Sequence, residues 1–440
     1  MSWSKDMIWG AASAAYQVEG AFDEDGKGLS IWDALSDGHV KHNDNGNIAC
    51  DQYHLYIALM KRMNLQAYRF SISWPRIMPE EGVINPLGVQ YYKNLVEEIK
   101  KQGMIPMVTL YHWDLPMWMH EKGGWKSRDV VEAFAEYTRV VVDALSDEVT
   151  YWMTMNEAAT FVGAGYLEGI HAPFERVEPK TEEFVKRTCI LTKHVLLAHG
   201  RAVQIIRERA KTKPVIGIAM DGKFFMPNDN TDEAIATAME RTYESILDCH
   251  RINWWLDPIC KGTYHPQLEN IVNDEEKAVI AEQIDFIGYN CYKANNFDDD
   301  DGPNPDVKPG IPRTAMGWAI TGDALYWAVR FIHTRYEKPI MITENGMANV
   351  DFIMSDGLVH DQQRIEFLKL YLAGLKRAAN EGYPIIGYMY WSILDNFEWA
   401  EGYDKRFGLV YVNYENQERM EKDSAIWFAN YIKQQQDEQS

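Results

Sequence analysis

Short apolar runs alternate along the chain with longer segments whose apolar residues recur at helical spacing. The runs fall at about 8–14, 67–73, 104–112, 150–157, 214–220, 285–292, 339–345 and 385–393. They are rich in Ile, Val, Tyr, Phe and Met and read as buried parallel strands. Helical patterns between them are clearest at 87–102, 128–145, 182–210, 322–336 and 360–381. The last opens at Asp361 and stops at Gly382, a start and stop signature. Eight strands alternating with helices, with no Pro/Gly/Ser linker, predict one (β/α)8 TIM barrel spanning 1–440 as a single catalytic domain. An open doubly wound sheet is the alternative. It lacks its phosphate loop, because Gly163-Ala164-Gly165 is followed by Gly169, one place late for GxGxxG, and reads as helix packing.

Composition narrows the partners. With 46% apolar residues the chain can bury a large core. Its formal charge of −21 argues against nucleic acid and anionic membranes. The N-terminus carries no apolar stretch of the signal-peptide kind, and no uncharged apolar run approaches the roughly 20 residues needed to span a bilayer. Cys50, Cys189, Cys249, Cys260 and Cys291 are scattered, without CxxC spacing, and are expected to be reduced in a cytoplasmic protein. Asp298 to Asp301 with Gly302 has the look of a calcium loop, but Phe297 occupies the first ligand position, so no metal and no cofactor is expected. The segment 293–321 lacks periodicity and reads as a surface loop near the barrel mouth.

Two glutamates stand where charge is costly. Glu157 closes the run Thr150–Glu157, and Glu344 closes Pro339–Glu344 before a turn at Asn345-Gly346. Two carboxylates at the mouths of different strands suit chemistry that needs a proton donor and a nucleophile or base, as in glycoside hydrolysis. Other polar residues at strand ends are Arg69, His112, Asn156, Asn290, Tyr292 and Glu398, accompanied by Trp113, Trp391 and Trp399. Each has a bland alternative: His112 as a structural histidine, Trp391 as barrel filling, Arg69 as an ion-pair partner. HExxH, a P-loop and GxSxG are all missing.

The motifs resemble those of family 1 glycoside hydrolases, the β-glucosidase family, over essentially the whole length. The resemblance is carried by the segments 9–20, Tyr68–Arg76 and Tyr111–Pro116, by Thr154-Met155-Asn156-Glu157 and Ile342-Thr343-Glu344-Asn345-Gly346, and by Trp391–Trp399. It implies that Glu344 attacks the anomeric carbon and that Glu157 is the acid and then the base. Such a double displacement retains configuration and places the carboxyls roughly 5–5.5 Å apart. Arg69 and Tyr292 would keep Glu344 ionised, while Glu157 would hold its proton. The remaining sugar contacts implied are Gln17, His112, Trp113, Asn156, Asn290, Trp391, Glu398 and Trp399. Glu398 stands where a phospho-sugar subfamily offers Ser and Lys, which points to unphosphorylated β-D-glucosides, with β-D-galactosides or β-D-fucosides as side activities. A transglycosylase using the same intermediate and a catalytically inactive sugar-binding protein are the alternatives.

The sequence departs from the family pattern at several points. Ala158 replaces a proline, Asp221 an asparagine and Cys291 a tyrosine, and about three residues are missing after Tyr56. Asp221 and Met117-Trp118-Met119 are expected to border the leaving-group side, giving a preference for apolar, including aromatic, groups there, with core packing the other reading of the methionines.

Overall fold

The computed structural model describes residues 3–4, 7–40, 53–294 and 310–438. Its centre is a closed barrel of eight parallel strands in chain order. They are β1 (Ile8–Ala12), β2 (Ala67–Ser71), β3 (Ile105–Tyr111), β4 (Tyr151–Asn156), β5 (Val215–Met220), β6 (Phe286–Asn290), β7 (Ile340–Asn345) and β8 (Ile385–Trp391). Parallel pairing of β1 with β8 closes the ring, with Ala12 opposite Trp391. Strand residues are almost uniformly buried, because the lumen covers one face and helices cover the other. Gly10 has no room for a side chain: a Cβ there would lie 2.4 Å from Met389 Sδ and 2.6 Å from the Ala67 carbonyl.

The barrel agrees with the periodicity, and the differences lie at element ends. β2 stops at Ser71, not 73, because Ser73 already N-caps the short helix Trp74–Ile77. β8 stops at Trp391, where the chain turns into the loop that carries Glu398. Of the long helices, Glu182–Arg209 shows the cause of its start most clearly: Thr181 accepts from the Phe184 amide, and Glu182 and Glu183 oppose the helix dipole. Asp361 does precede its helix, Gln362–Asn380, yet its carboxylate caps nothing there; it takes Arg364 and Ser424 instead. Asp232–Thr242, Ile252–Lys261 and Asp274–Ile280, all between β5 and β6, are additional helices that periodicity did not separate. Gly163 and Gly165 do pack closely, against His250 and the Ala172 carbonyl. The Asp298–Asp301 run lies outside the described residues. Among the described residues no helix is long and apolar enough to cross a membrane.

Behind the β8 loop lies a buried ion network. Lys422 Nζ meets Asp351 Oδ2 at 2.6 Å and Asp395 Oδ1 at 2.7 Å. Arg364 holds Asp351 and Asp361, and Arg406 holds Asp395 at 2.6 Å. Three cations and three carboxylates balance, so the burial is tolerable only while all are present. The network joins the loops after β7 and β8 to the residue that precedes the C-terminal helix Asp423–Asp437. Replacing Lys422→Met should therefore destabilise the fold by roughly 3–5 kcal/mol. Denaturant unfolding measures this, and a loss under 1 kcal/mol would show the network to be dispensable.

Candidate active site

Arg69, from β2, reaches across the barrel floor with every edge of its guanidinium engaged. Its Nη1 donates to Glu344 Oε1 (2.7 Å) and the Thr343 carbonyl (3.0 Å). Nη2 donates to Asn156 Oδ1 (2.6 Å) and Nε to Thr109 Oγ1 (3.1 Å). The Tyr292 hydroxyl donates to the other Glu344 oxygen at 2.6 Å. Glu344 is thus gripped from two sides. Burial raises its carboxyl above the usual range, and the Arg69 charge and the Tyr292 hydrogen bond pull against that. Full ionisation by these two partners, as the resemblance implied, is opposed by the desolvation of a carboxylate that is 3% exposed.

Glu157 follows β4 and is pushed well above the ordinary value by burial, then by the charges of Asp221 and Glu344. Asn290 Nδ2 donates to its Oε1 at 2.8 Å and opposes the shift. The two carboxyls therefore differ in kind: one faces a guanidinium, the other faces like charge. Glu157 also sits in the left-handed region at φ 49°, as do Trp113 at 80° and Trp399 at 50°. Non-glycine residues pay strain there, and all three line the same cavity.

That cavity encloses about 420 Å³. His112, Trp113, Asn156, Glu157, Asn290, Tyr292, Glu344, Trp391, Glu398 and Trp399 all line it. Gln17 and Arg69 do not; they stand behind the wall. Gln17 Nε2 fixes the Glu398 loop through the Phe397 carbonyl (2.8 Å) and Asn396 Oδ1 (3.1 Å), so its observed role is to support the loop. Asn156 Nδ2 donates to His112 Nε2 (3.0 Å), because its Oδ1 already takes Arg69 and Asn290. His112 is then protonated on Nδ1, and burial, followed by the Arg69 charge, keeps the ring neutral. Trp113 Nε1 donates to the Asn156 carbonyl (2.9 Å), and its ring lies 4.5 Å from Trp399. Burial, with Glu344 and Glu401 nearby, pushes Glu398 up to about 8.

Further lining residues were not singled out by sequence. Thr160 comes from the short helix Ala158–Val162, and His171, Lys223, His250, Met316 and Trp318 come from segments outside the long elements, whose contacts no periodicity encodes. Lys293, Met316 and Trp318 do place the ends of the 293–321 segment at the mouth. Met117-Trp118-Met119 are absent from the lining: Trp118 donates to the Met78 carbonyl (3.0 Å) and packs on Trp74, so the packing reading holds. Cys291 is likewise a core residue, with its backbone bonded to Glu344 and Asn345. Among the described residues one group could approach a metal, Asp248, Cys249 and His250, but His250 is paired with Glu168 (2.7 Å) and Asp248 with Lys223 (3.4 Å).

A paired-carboxyl cavity at the C-terminal mouth of a barrel has close relatives. The family model for glycosyl hydrolase family 1 matches residues 1–437. The chain belongs to that family. It is 40% identical to beta-glucosidase A of Thermotoga maritima, over 97% of this chain and 96% of the relative. A 1,4-beta-D-glucan glucohydrolase of Thermotoga neapolitana is 39% identical, over 97% of each. The solved T. maritima beta-glucosidase in complex with glucoimidazole superposes with a TM-score of 0.87 at 38% identity, covering 99% of both chains. Membership makes the protein a glycosyl hydrolase with the family's barrel.

Arg69 offers a direct probe of the site. In Arg69→Met the charge that lowers Glu344 is gone, so that carboxyl should titrate higher. The acid limb of the kcat/KM profile reads this as a move to higher pH. An unmoved limb would mean that it reports another group.

Proposed function

We propose that the protein is a retaining β-glucosidase acting on unphosphorylated β-D-glucosides, as a single catalytic domain in the cytoplasm. The observation that carries the reading is the asymmetry of two buried carboxyls in one cavity, Glu344 against Arg69 and Tyr292, Glu157 against Asp221. Glu344 bonds to the anomeric carbon as the glycosidic bond breaks, and Glu157 gives its proton to the leaving oxygen. Glu157, now a carboxylate, takes a proton from water, whose oxygen attacks the same carbon and frees Glu344. Two inversions restore the configuration.

Recognition of the sugar falls to the buried wall. Glu398 and the Nδ1–H of His112 meet hydroxyls, the second amide hydrogen of Asn156 meets the 2-hydroxyl, and Trp391, stacked beside the His112 ring at 5.7 Å, forms the floor. The T. maritima relative has been solved with deoxynojirimycin and with glucoimidazole, which supports a glucose-shaped pocket here. On the more exposed side Ile170, Met316 and Trp318 face Thr160, Lys223 and His250, a mixed wall that suits an aromatic leaving group bearing polar substituents. The free state of Cys189, Cys249, Cys260 and Cys291 supports a reducing compartment.

The expected behaviour is specific. With an aryl β-glucoside, proton NMR should show β-glucose as the first anomer released; α-glucose first would overturn retention. Glu344→Ala should abolish turnover. Glu157→Gln should cost about 10²–10⁴-fold with an alkyl β-glucoside, and far less with a dinitrophenyl one that leaves unprotonated. Glu398→Ala removes hydrogen bonds to a largely protonated carboxyl, worth about 0.5–1.5 kcal/mol each, so kcat/KM for β-glucosides should fall roughly 2- to 13-fold per bond lost. A panel of sugars run on this variant checks whether Glu398 selects the glycone: equal losses on every sugar would remove it from that role.

A further inference from the structure

Asp221 is brought to the acid/base glutamate by strand register. The Glu157 amide donates to the Ala219 carbonyl at 2.8 Å, which leaves Asp221 two residues beyond that acceptor at the mouth of β5. Glu157 is itself the N-cap of the helix Ala158–Val162. From that helix the Thr160 hydroxyl donates to Asp221 Oδ2 at 2.6 Å. One carboxylate is therefore tied to the turn that bears the other, and both line the same cavity. Where the resemblance implies a neutral amide, this chain has a carboxyl.

We propose that Asp221 is a positioning residue for the hydrolysis: it holds the turn that carries Glu157 and, by its negative charge, keeps the proton on Glu157 until the leaving oxygen takes it. The inference rests on Glu157 being the acid/base. Two buried carboxyls side by side share protons as a pair, and their surroundings decide which one holds the last. Glu157 faces Glu344 from β7, Arg69 from β2, and the Tyr289 and Tyr292 hydroxyls from β6 and its loop. Asp221 faces His250 and the Cys249 thiol, with Tyr289 near both carboxyls. Glu168 is bonded to His250, and Lys223 is paired with Asp248 at the edge of the group. Burial raises Asp221, while the Thr160 hydroxyl, the His250 charge and the Ala159 amide all favour its anion. Glu157 has the Asn290 amide and the more distant Arg69 against two like charges. The proton therefore stays on Glu157, and the charge stays on Asp221.

Asp221→Asn keeps the shape and the Thr160 contact but removes the charge. For an alkyl β-glucoside, the alkaline limb of kcat/KM should then move about one unit toward acid, a tenfold loss on the limb itself. A merely structural role would lower the rate at every pH and leave the limb in place, and that result would overturn the inference. Glu157→Gln run in parallel separates the two readings. If the limb survives in Glu157→Gln, the acid assignment fails. If it disappears there but stands still in Asp221→Asn, only the role of Asp221 fails. Should the asparagine variant not fold, Asp221→Ser retains a partner for Thr160 and is read in the same way.

Discussion

The Arg69–Glu344 pair is the constraint around which the site is arranged. A guanidinium 1% exposed and a carboxylate 3% exposed are each expensive to bury, and their attraction offsets that only if the remaining donors are met. Here they are met by Thr109 from β3, Asn156 from β4 and the Thr343 carbonyl from β7. A planar cation with fixed donor directions thus sets the mutual position of four strand ends. Its effects spread outward. Because Asn156 Oδ1 is committed to Arg69, its amide nitrogen must point at His112, which fixes the tautomer of that ring and keeps it neutral. Lysine at this position could supply the charge but not the geometry.

The loops above the barrel are held by comparable means. Asp395, four residues after Trp391, is clamped by Lys422 and Arg406, and Gln17 grips the next stretch of the same loop through its backbone. Between those anchors the chain delivers Glu398 and Trp399 to the cavity, with Trp399 in a left-handed conformation. Strain of about 1–3 kcal/mol at such a residue persists only where the surroundings overdetermine it. Stacking of Tyr16 on Trp399 at 6.0 Å, with Trp32 4.6 Å away, provides part of that support. Stability of the C-terminal segment and placement of the Glu398 carboxyl are consequently one problem.

The barrel was legible because buried parallel strands leave long apolar runs, and Asn156, Glu157, Asn290 and Glu344 sit at or beside the ends of such runs. Those four could be found by that rule alone; Arg69, expected at a strand end, lies mid-strand as the third of the five residues of β2. Residues on loops obeyed no such rule. Four helices between β5 and β6 were not resolved individually, since short segments broken by Asp, Asn and Pro give little periodicity. The methionines at 117 and 119 looked like a binding surface because their composition is unusual, yet composition does not reveal direction. Gln17 belongs to a motif that lies beside the site, and its side chain acts one layer behind the cavity. Asp221 was visible as a departure; its attachment to Thr160 was not, because that contact joins residues 61 positions apart through the β4–β5 register.

Charge balance links the two glutamates to the choice of substrate. Five carboxyls, on Glu157, Asp221, Glu344, Glu398 and the exposed Glu401, line the cavity; Arg69 stands buried behind its wall, and Lys223 and Lys293 stand at its more exposed edge. One guanidinium can hold one carboxylate ionised at full burial. Burial raises Glu344 and Asp221 as well, but the Arg69 charge opposes it for Glu344, and the Thr160 hydroxyl, His250 and the Ala159 amide oppose it for Asp221. Glu157 and Glu398 have no comparable partner, and both are pushed toward the protonated form. A ligand bringing further negative charge into this space would have to displace protons or remain without a counter-ion, either of which costs several kcal/mol. Neutral sugars carry no such penalty. On the proposed reading, the imbalance that favours a proton on Glu157 also disfavours phosphorylated sugars.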